Sequence, residues 1–131
     1  MQQIKKILTV DDEPLNNEIV QEILSPNYDV KTATTGDEAL KIALDFKPDL
    51  ILLDIMIPGM DGYEVCRRLR ANSALRDTTI IMVSAKETIE DKVKGYEVGA
   101  SDYISKPFTE ESLRESVSFF LRKCVITDSS S

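Results

Sequence analysis

Charged and hydroxyl side chains follow four apolar segments of this sequence, at the point where each segment ends. Asp11 and Asp12 follow the first of these segments, Asp54 follows the second, Ser84 the third and Lys106 the last. The carboxyl ends of neighbouring parallel strands meet at one edge of a sheet, where α/β proteins bind their ligands. We therefore expect three carboxylates, one hydroxyl and one ammonium to share a site.

The residue types at these strand ends are typical of phosphoryl chemistry. Three clustered carboxylates repel one another, and a divalent cation relieves that repulsion. Mg²⁺ binds through one or two carboxylates together with phosphate oxygens and water. Lys106 could neutralise a phosphoryl oxygen, Ser84 could donate a hydrogen bond to another, and an aspartate is a competent nucleophile toward phosphorus. Because the sequence contains no histidine, Ser-His-Asp catalysis and histidine metal ligands are excluded.

Strand-like and helix-like segments alternate along the chain. Five segments have the composition of strands: 7–10, 28–32, 50–53, 80–83 and 103–105. Five segments between and after them have helical spacing or capping signals: 14–24, 35–44, 63–69, 88–98 and 109–121. The segments 50–53 and 80–83 are apolar at every position, as buried parallel strands require. The alternation predicts one parallel sheet with helices on both faces, with the first and third strands near its middle.

Two of the helix signals are specific enough to test. Leu15, Ile19 and Ile23 recur at helical spacing after Pro14, a residue suited to a first helical turn. Thr35 and Glu38 have the spacing of a capping box. We expect Cys66 to be a small core residue of the third helix.

Length and charge restrict the class of protein. The chain has 131 residues, which suits a single domain, and a formal net charge of −7. This charge argues against direct nucleic-acid binding and against docking on anionic lipid. No apolar run is long enough to cross a membrane, and the first residues lack the layout of a signal peptide. We expect a cytoplasmic protein with reduced thiols, a domain over residues 1–123 and a flexible tail or linker remnant over residues 124–131.

Four blocks of the sequence carry a family resemblance. The blocks "VDDEP", "DIMIPGMDG", "IIMVSA" and "DYISKPF" resemble the signature blocks of bacterial two-component response regulator receiver domains, including those of the chemotaxis type. The resemblance covers about residues 4 to 123. It implies a flavodoxin-like doubly wound fold with five parallel strands in the order 2-1-3-4-5. It also implies a signalling switch rather than an enzyme.

The resemblance assigns a role to each residue at the predicted site. Asp54 matches the residue that accepts the phosphoryl group, and Lys106 matches the family's lysine. Asp12 matches the direct Mg²⁺ ligand, Asp11 matches a ligand that often acts through water, and Met56 matches the residue whose backbone carbonyl binds the metal.

Further matches concern the switch itself. Ser84 matches the hydroxyl residue that turns toward the phosphoryl group, and Tyr103 matches the aromatic that turns inward. The bond between Lys106 and Pro107 matches a cis peptide. Lys86 and Met56 flank the site in this family and influence how fast water removes the phosphate. Implied partners are a sensor histidine kinase or a histidine phosphotransfer protein, and a second copy through the face formed by the fourth helix, fifth strand and fifth helix.

Other interpretations remain open for these residues. Asp54 could cap a turn before Pro58, and Asp11 or Asp12 could cap the first helix. Tyr103 could be an ordinary edge-strand aromatic. At the level of function, the alternatives are a Mg²⁺-dependent phosphohydrolase with an aspartate nucleophile, and a docking module that does not switch.

Overall fold

Strands and helices alternate strictly in the computed structural model, which describes residues 4–85 and 88–129, with side chains for 4–85 and 88–122. The elements in chain order are β1 Lys6–Val10, α1 Pro14–Leu24, β2 Asp29–Ala33, α2 Gly36–Phe46, β3 Leu50–Asp54, α3 Gly62–Ala71, β4 Thr79–Ser84, α4 Ile89–Glu97, β5 Asp102–Ser105 and α5 Glu110–Ser129. All neighbouring strands are parallel, in the order β2-β1-β3-β4-β5. The predicted fold and strand order are confirmed.

The sheet separates two apolar layers because successive side chains of a strand point to opposite faces. On one face, Leu8 and Leu53 pack in the layer that holds Cys66 of α3. On the other face, Ile7 and Leu52 belong to the layer covered by α1 and α5. Cys66 is fully buried as expected, and burial raises the pKa of its thiol to about 11.

The first helix is confirmed, and the structure shows which of its sides is buried. Val20 and Leu24 pack on the sheet, together with the polar Asn17. Leu15 is 59% exposed and Ile19 is 45% exposed. The helix carries apolar residues on two sides, and periodicity alone does not say which side covers the sheet.

Side-chain hydrogen bonds define the starts of the later helices. The Thr35 hydroxyl accepts from the Glu38 amide, as the capping box predicts. The returning bond differs, since the Glu38 carboxylate accepts from the amide of Thr34 rather than Thr35. Thr88 and Thr109 cap α4 and α5 in the same manner.

Two predicted features lie partly or wholly outside the described side chains. The helix α5 is assigned as Glu110–Ser129, whereas a tail was expected from residue 124. Side chains from residue 123 onward are outside the described set, so the domain boundary stays a prediction. Lys86 also lies outside the described residues.

In the part of the chain that the structure describes, no helix is long and apolar enough to cross a membrane.

Gly62 holds the start of α3 against the backbone of β3. A Cβ atom at this position would lie 2.6 Å from the Asp54 carbonyl oxygen and 2.7 Å from the Ile55 Cα. The Gly62 amide donates to the Ile55 carbonyl at 2.9 Å. A side chain here would therefore displace the helix from the residue that ends β3.

We expect Gly62→Ala to lower the free energy of unfolding by about 1–3 kcal/mol, the usual cost of forcing atoms into a packed site. Gly95→Ala is the matched control, because a Cβ there meets Met82 and Tyr103 at 3.7 and 3.9 Å, ordinary contact distances. That variant should raise the free energy of unfolding by about 0.5–1 kcal/mol through helix propensity. Urea denaturation measures the free energy of unfolding of both variants. Equal changes in the two variants would contradict the close contact inferred at Gly62.

Candidate phosphoryl-acceptor site

The polar residues predicted to converge do so at the carboxyl edge of the sheet. Asp54 and Ser84 are the last residues of β3 and β4, while Asp11 and Lys106 directly follow β1 and β5. These four strands are neighbours in the order β1-β3-β4-β5. Asp11, Asp54 and Ser84 are buried, and Asp12 is exposed at the rim.

Lys106 joins two carboxylates from different strands. Its Nζ donates to Asp11 Oδ2 at 2.8 Å and to Asp54 Oδ2 at 3.0 Å. The side chains of Asp11 and Asp54 are 9% and 10% exposed, and that of Lys106 is 24% exposed. Burial would make two unpaired carboxylates costly, so the shared ammonium is what permits them to lie together.

The same contacts determine the protonation of Lys106. Burial acts to lower the pKa of the ammonium, but the hydrogen bonds and charges of Asp11 and Asp54 outweigh it, so the pKa is raised above its ordinary value. A raised folded-state pKa stabilises the protein below the pKa of an unfolded lysine, and this contribution is lost only as the pH rises through the folded value. The ammonium is therefore charged throughout the neutral range.

Asp11, Asp12 and Asp54 each present a carboxylate oxygen, and these oxygens lie within 4.8 Å of one another. Carboxylate oxygens at this spacing are a donor set for a hard divalent cation. Asp12 is the carboxylate of the three that faces solvent most. The residues present thus fit Mg²⁺.

The loop after β3 holds the second oxygen of Asp54. The amide of Met56 donates to Asp54 Oδ1 at 2.9 Å, while the Met56 side chain is 59% exposed. This is the turn-capping contact considered as an alternative for Asp54, and it coexists with the bond from Lys106 to the other oxygen. Capping of α1 by the acidic pair is not seen, since the N-cap residue is Glu13 and makes no side-chain cap bond.

The predicted switch residues lie on the two strands that follow β3 in the sheet. Ser84 is 1% exposed, pairs with Ser105 across β4 and β5, and accepts the Lys106 amide through its carbonyl at 2.9 Å. Tyr103 on β5 is half-buried, with Lys92 Nζ 5.6 Å from its ring centroid. The peptide bond between Lys106 and Pro107 is cis, as the resemblance implied.

A cleft of about 440 Å³ opens beside Asp54. Asp54 and Lys106 line its polar end. Its remaining walls are mostly apolar and come from α1, the sheet, the loop before α5 and the start of α5, including Ile19, Phe108 and Leu113. The cleft thus leaves the Asp54 carboxylate open on the side where α1 lies.

Asn17 is a site-supporting residue that sequence reasoning missed. Its Nδ2 donates at 3.0 Å to the carbonyls of both Asp11 and Ala33, and its Oδ1 accepts from the Thr9 hydroxyl at 3.4 Å. These bonds tie α1 to the ends of β1 and β2 and hold the backbone of Asp11. An available signal was the pair of consecutive asparagines, Asn16 and Asn17, because asparagine is a weak helix former.

Known proteins share both this sequence pattern and this fold. The family model of the response regulator receiver domain matches residues 7–118. The chain is 46% identical over 128 residues to the alkaline phosphatase synthesis transcriptional regulatory protein PhoP of Bacillus subtilis, covering 97% of this chain and 52% of PhoP. It resembles the solved structure of Vibrio cholerae chemotaxis protein CheY4 with a TM-score of 0.87 and 33% identity, covering 90% and 99% of the two chains. The BeF3-activated DrrB receiver domain aligns with a TM-score of 0.84 and 34% identity, covering 92% and 99%.

The chain therefore belongs to the response regulator receiver domain family, the phosphoryl-accepting switches of two-component signalling. It spans about half the length of the curated relatives it matches.

We expect Asn17→Ala to lower the free energy of unfolding by about 1–3 kcal/mol, because the Asp11 carbonyl loses its amide donor in a buried place. Asn27→Ala, at an exposed position just after α1, is the control and should change the free energy of unfolding by less than about 0.5 kcal/mol. Chemical denaturation measures this free energy for both variants. An Asn17→Ala variant as stable as the control would show that these bonds contribute little.

Proposed function

We propose that Asp54 is the phosphoryl acceptor of this receiver domain and that Lys106, Asp11 and Asp12 form its charge-balancing site. The observation that carries this proposal is the Lys106 ammonium held 2.8 Å from Asp11 and 3.0 Å from Asp54. A cation already poised against the acceptor carboxylate can follow the charge as it moves to a phosphoryl group. Phosphoryl transfer depends mainly on such positioning and charge stabilisation.

The proposed transfer begins with a phosphohistidine of a partner kinase or phosphotransfer protein. An Asp54 carboxylate oxygen attacks phosphorus in line, the P–N bond breaks, and the imidazole leaves with the bond's electron pair and takes up a proton. The product is an aspartyl phosphate, whose added oxygens Lys106 can approach directly. Attack by water later releases inorganic phosphate and restores the Asp54 carboxylate.

The acidic cluster supports a Mg²⁺ requirement. Asp12, Asp54 and the backbone carbonyl of Met56 would hold the ion, with Asp11 acting directly or through water. When bound, Mg²⁺ would neutralise charge on the phosphoryl oxygens. The mutual spacing of the three carboxylates within 4.8 Å supports this assignment.

The switching step would involve Ser84 and Tyr103. Ser84 ends the strand next to Asp54, and its hydroxyl would turn toward the phosphoryl oxygens. Tyr103 would then move inward and alter the packing of α4 against β5, where a Cβ on Gly95 would lie 3.9 Å from the ring. The covalent group would thereby bias two arrangements of the α4-β5-α5 face.

Partner docking is best supported at α1. Leu15 and Ile19 are exposed on this helix, and Ile19 also lines the cleft that reaches Asp54 and Lys106. A partner seated here would deliver its phosphohistidine from the open side of the site. The negative charge of the chain argues against nucleic acid as a direct partner of this domain.

A second copy of the chain remains a predicted partner. Ile89, Val93 and Tyr96 of α4 and Phe119 of α5 are exposed apolar side chains. They support the α4-β5-α5 face as the place for dimer contact. A cytoplasmic location likewise stays a prediction, as does any output exerted through a longer protein.

The acceptor assignment is tested with acetyl phosphate or phosphoramidate and Mg²⁺. We expect mass spectrometry to find one added phosphoryl group on the wild-type chain and none on Asp54→Asn. Asp45→Asn, an exposed carboxylate near the end of α2, is the control and should label normally. Removing Mg²⁺ with EDTA should abolish labelling. Labelling that persists in Asp54→Asn would refute the assignment.

Two measurements separate the alternatives. An aspartate-nucleophile phosphohydrolase commonly uses a second aspartate two residues after the first, but that position is Met56, whose thioether cannot shuttle protons. Turnover of a phosphate monoester in excess over protein would favour the hydrolase. Amide spectra that do not change with beryllofluoride, a phosphoryl mimic, would favour a docking module that does not switch.

Docking at α1 predicts a selective defect in Leu15→Ala. We expect the kcat/KM for phosphotransfer from a phosphohistidine partner to fall about tenfold, equivalent to about 1.4 kcal/mol, the scale of an interface hot spot. Labelling by acetyl phosphate should stay unchanged, because the small donor needs no docking surface. Leu44→Ala, a leucine of α2 that is 49% exposed, is the matched control. Equal transfer rates in the two variants would place docking elsewhere.

A further inference from the structure

The Asp11 carboxylate receives three donors among the described residues, and one of them is not explained by the acceptor chemistry. Its Oδ1 accepts from the Glu13 amide at 2.9 Å, and its Oδ2 accepts from Lys106 Nζ at 2.8 Å. The third donor is Asn16 Nδ2, at 3.2 Å from the same Oδ2. Asn16 also lines the cleft that reaches Asp54 and Lys106.

The third donor differs from the ammonium in what it serves. Lys106 also donates to Asp54 Oδ2 at 3.0 Å, so its ammonium is divided between two carboxylates. Among the described residues, Asn16 is the uncharged one of the two side chains that donate to Asp11 Oδ2. An amide carries no net charge, so it can orient the carboxylate without repelling a cation beside it.

The position of Asn16 suits this task. It lies in the first turn of α1, and its own amide donates to the Glu13 carbonyl at 3.0 Å. The next residue, Asn17, binds the carbonyls that end β1 and β2. The backbone that carries Asn16 is thus held close to Asp11.

We propose that Asn16 is a positioning residue, which holds the Asp11 carboxylate in its metal-binding orientation through the Asn16 Nδ2–Asp11 Oδ2 hydrogen bond. The proposal rests on the proposed function, since it concerns the same Mg²⁺ site. It assigns Asn16 a role toward Asp11 and no contact with the transferred group. An ordinary helix-surface asparagine would instead leave Mg²⁺ affinity unchanged when replaced.

The test is a titration of Mg²⁺ into the full chain without phosphodonor. Binding is monitored through the amide NMR shifts of residues around Asp54. Asn16→Leu should bind Mg²⁺ about tenfold more weakly, the lower end of losses on removing a partner of a metal ligand. Asn16→Gln, which keeps an amide donor, should recover part of that loss. Asn27→Leu is the control at an exposed asparagine and should bind as the wild type does. Unfolding in EDTA should show Asn16→Leu folded to the same extent.

A double-mutant cycle identifies the route of the effect. In an Asp11→Asn background, Asn16→Leu should no longer change Mg²⁺ affinity, because the carboxylate it orients is gone. An equal loss in both backgrounds, or wild-type affinity in Asn16→Leu, would overturn the proposal. A wild-type chain that binds no Mg²⁺ would instead refute the metal site of the proposed function, so the two failures are distinguishable.

Discussion

The ion pair that one ammonium makes with two carboxylates determines how the carboxyl edge of this sheet is built. Lys106 follows β5, yet it contacts Asp54 at the end of β3 and Asp11 after β1, so its side chain reaches across the end of β4. Buried carboxylates at 9% and 10% exposure need that positive charge. The strands β1, β3, β4 and β5 must therefore end at the same level along the sheet for these side chains to meet.

Under the proposed function this pairing changes when Asp54 accepts a phosphoryl group, whereas a structural salt bridge would persist. Three carboxylates against one ammonium leave the edge negative, and this favours a divalent cation. A phosphoryl group on Asp54 would then compete for the ammonium. The other contacts of the Asp11 carboxylate, from the Glu13 amide and the Asn16 side chain, come from the loop before α1 and its first turn. The Asp11 carboxylate thus has one donor that is shared with Asp54 and two that are local.

Sequence reasoning predicted the elements whose chemistry is local and missed contacts that depend on how elements pack. Uniformly apolar strands and polar strand ends indicated the sheet and the convergence of Asp11, Asp54 and Lys106, because parallel strands place their ends together. It could not identify the buried face of α1, since apolar residues occur on two of its sides. It also missed Asn17, whose partners are backbone carbonyls sixteen or fewer residues away that only the folded chain brings near.

The two-sided character of α1 separates the residues that folding requires from those that are free to contact a partner. Val20 and Leu24 are committed to the sheet, whereas Leu15 and Ile19 face outward and contribute little to the interior. Exposed substitutions usually alter stability only slightly. If partners dock at α1 as proposed, changes on the outer side of this helix would redirect the domain to a new signalling pathway, or insulate it from an unwanted one, while the residues that pack on the sheet stay the same.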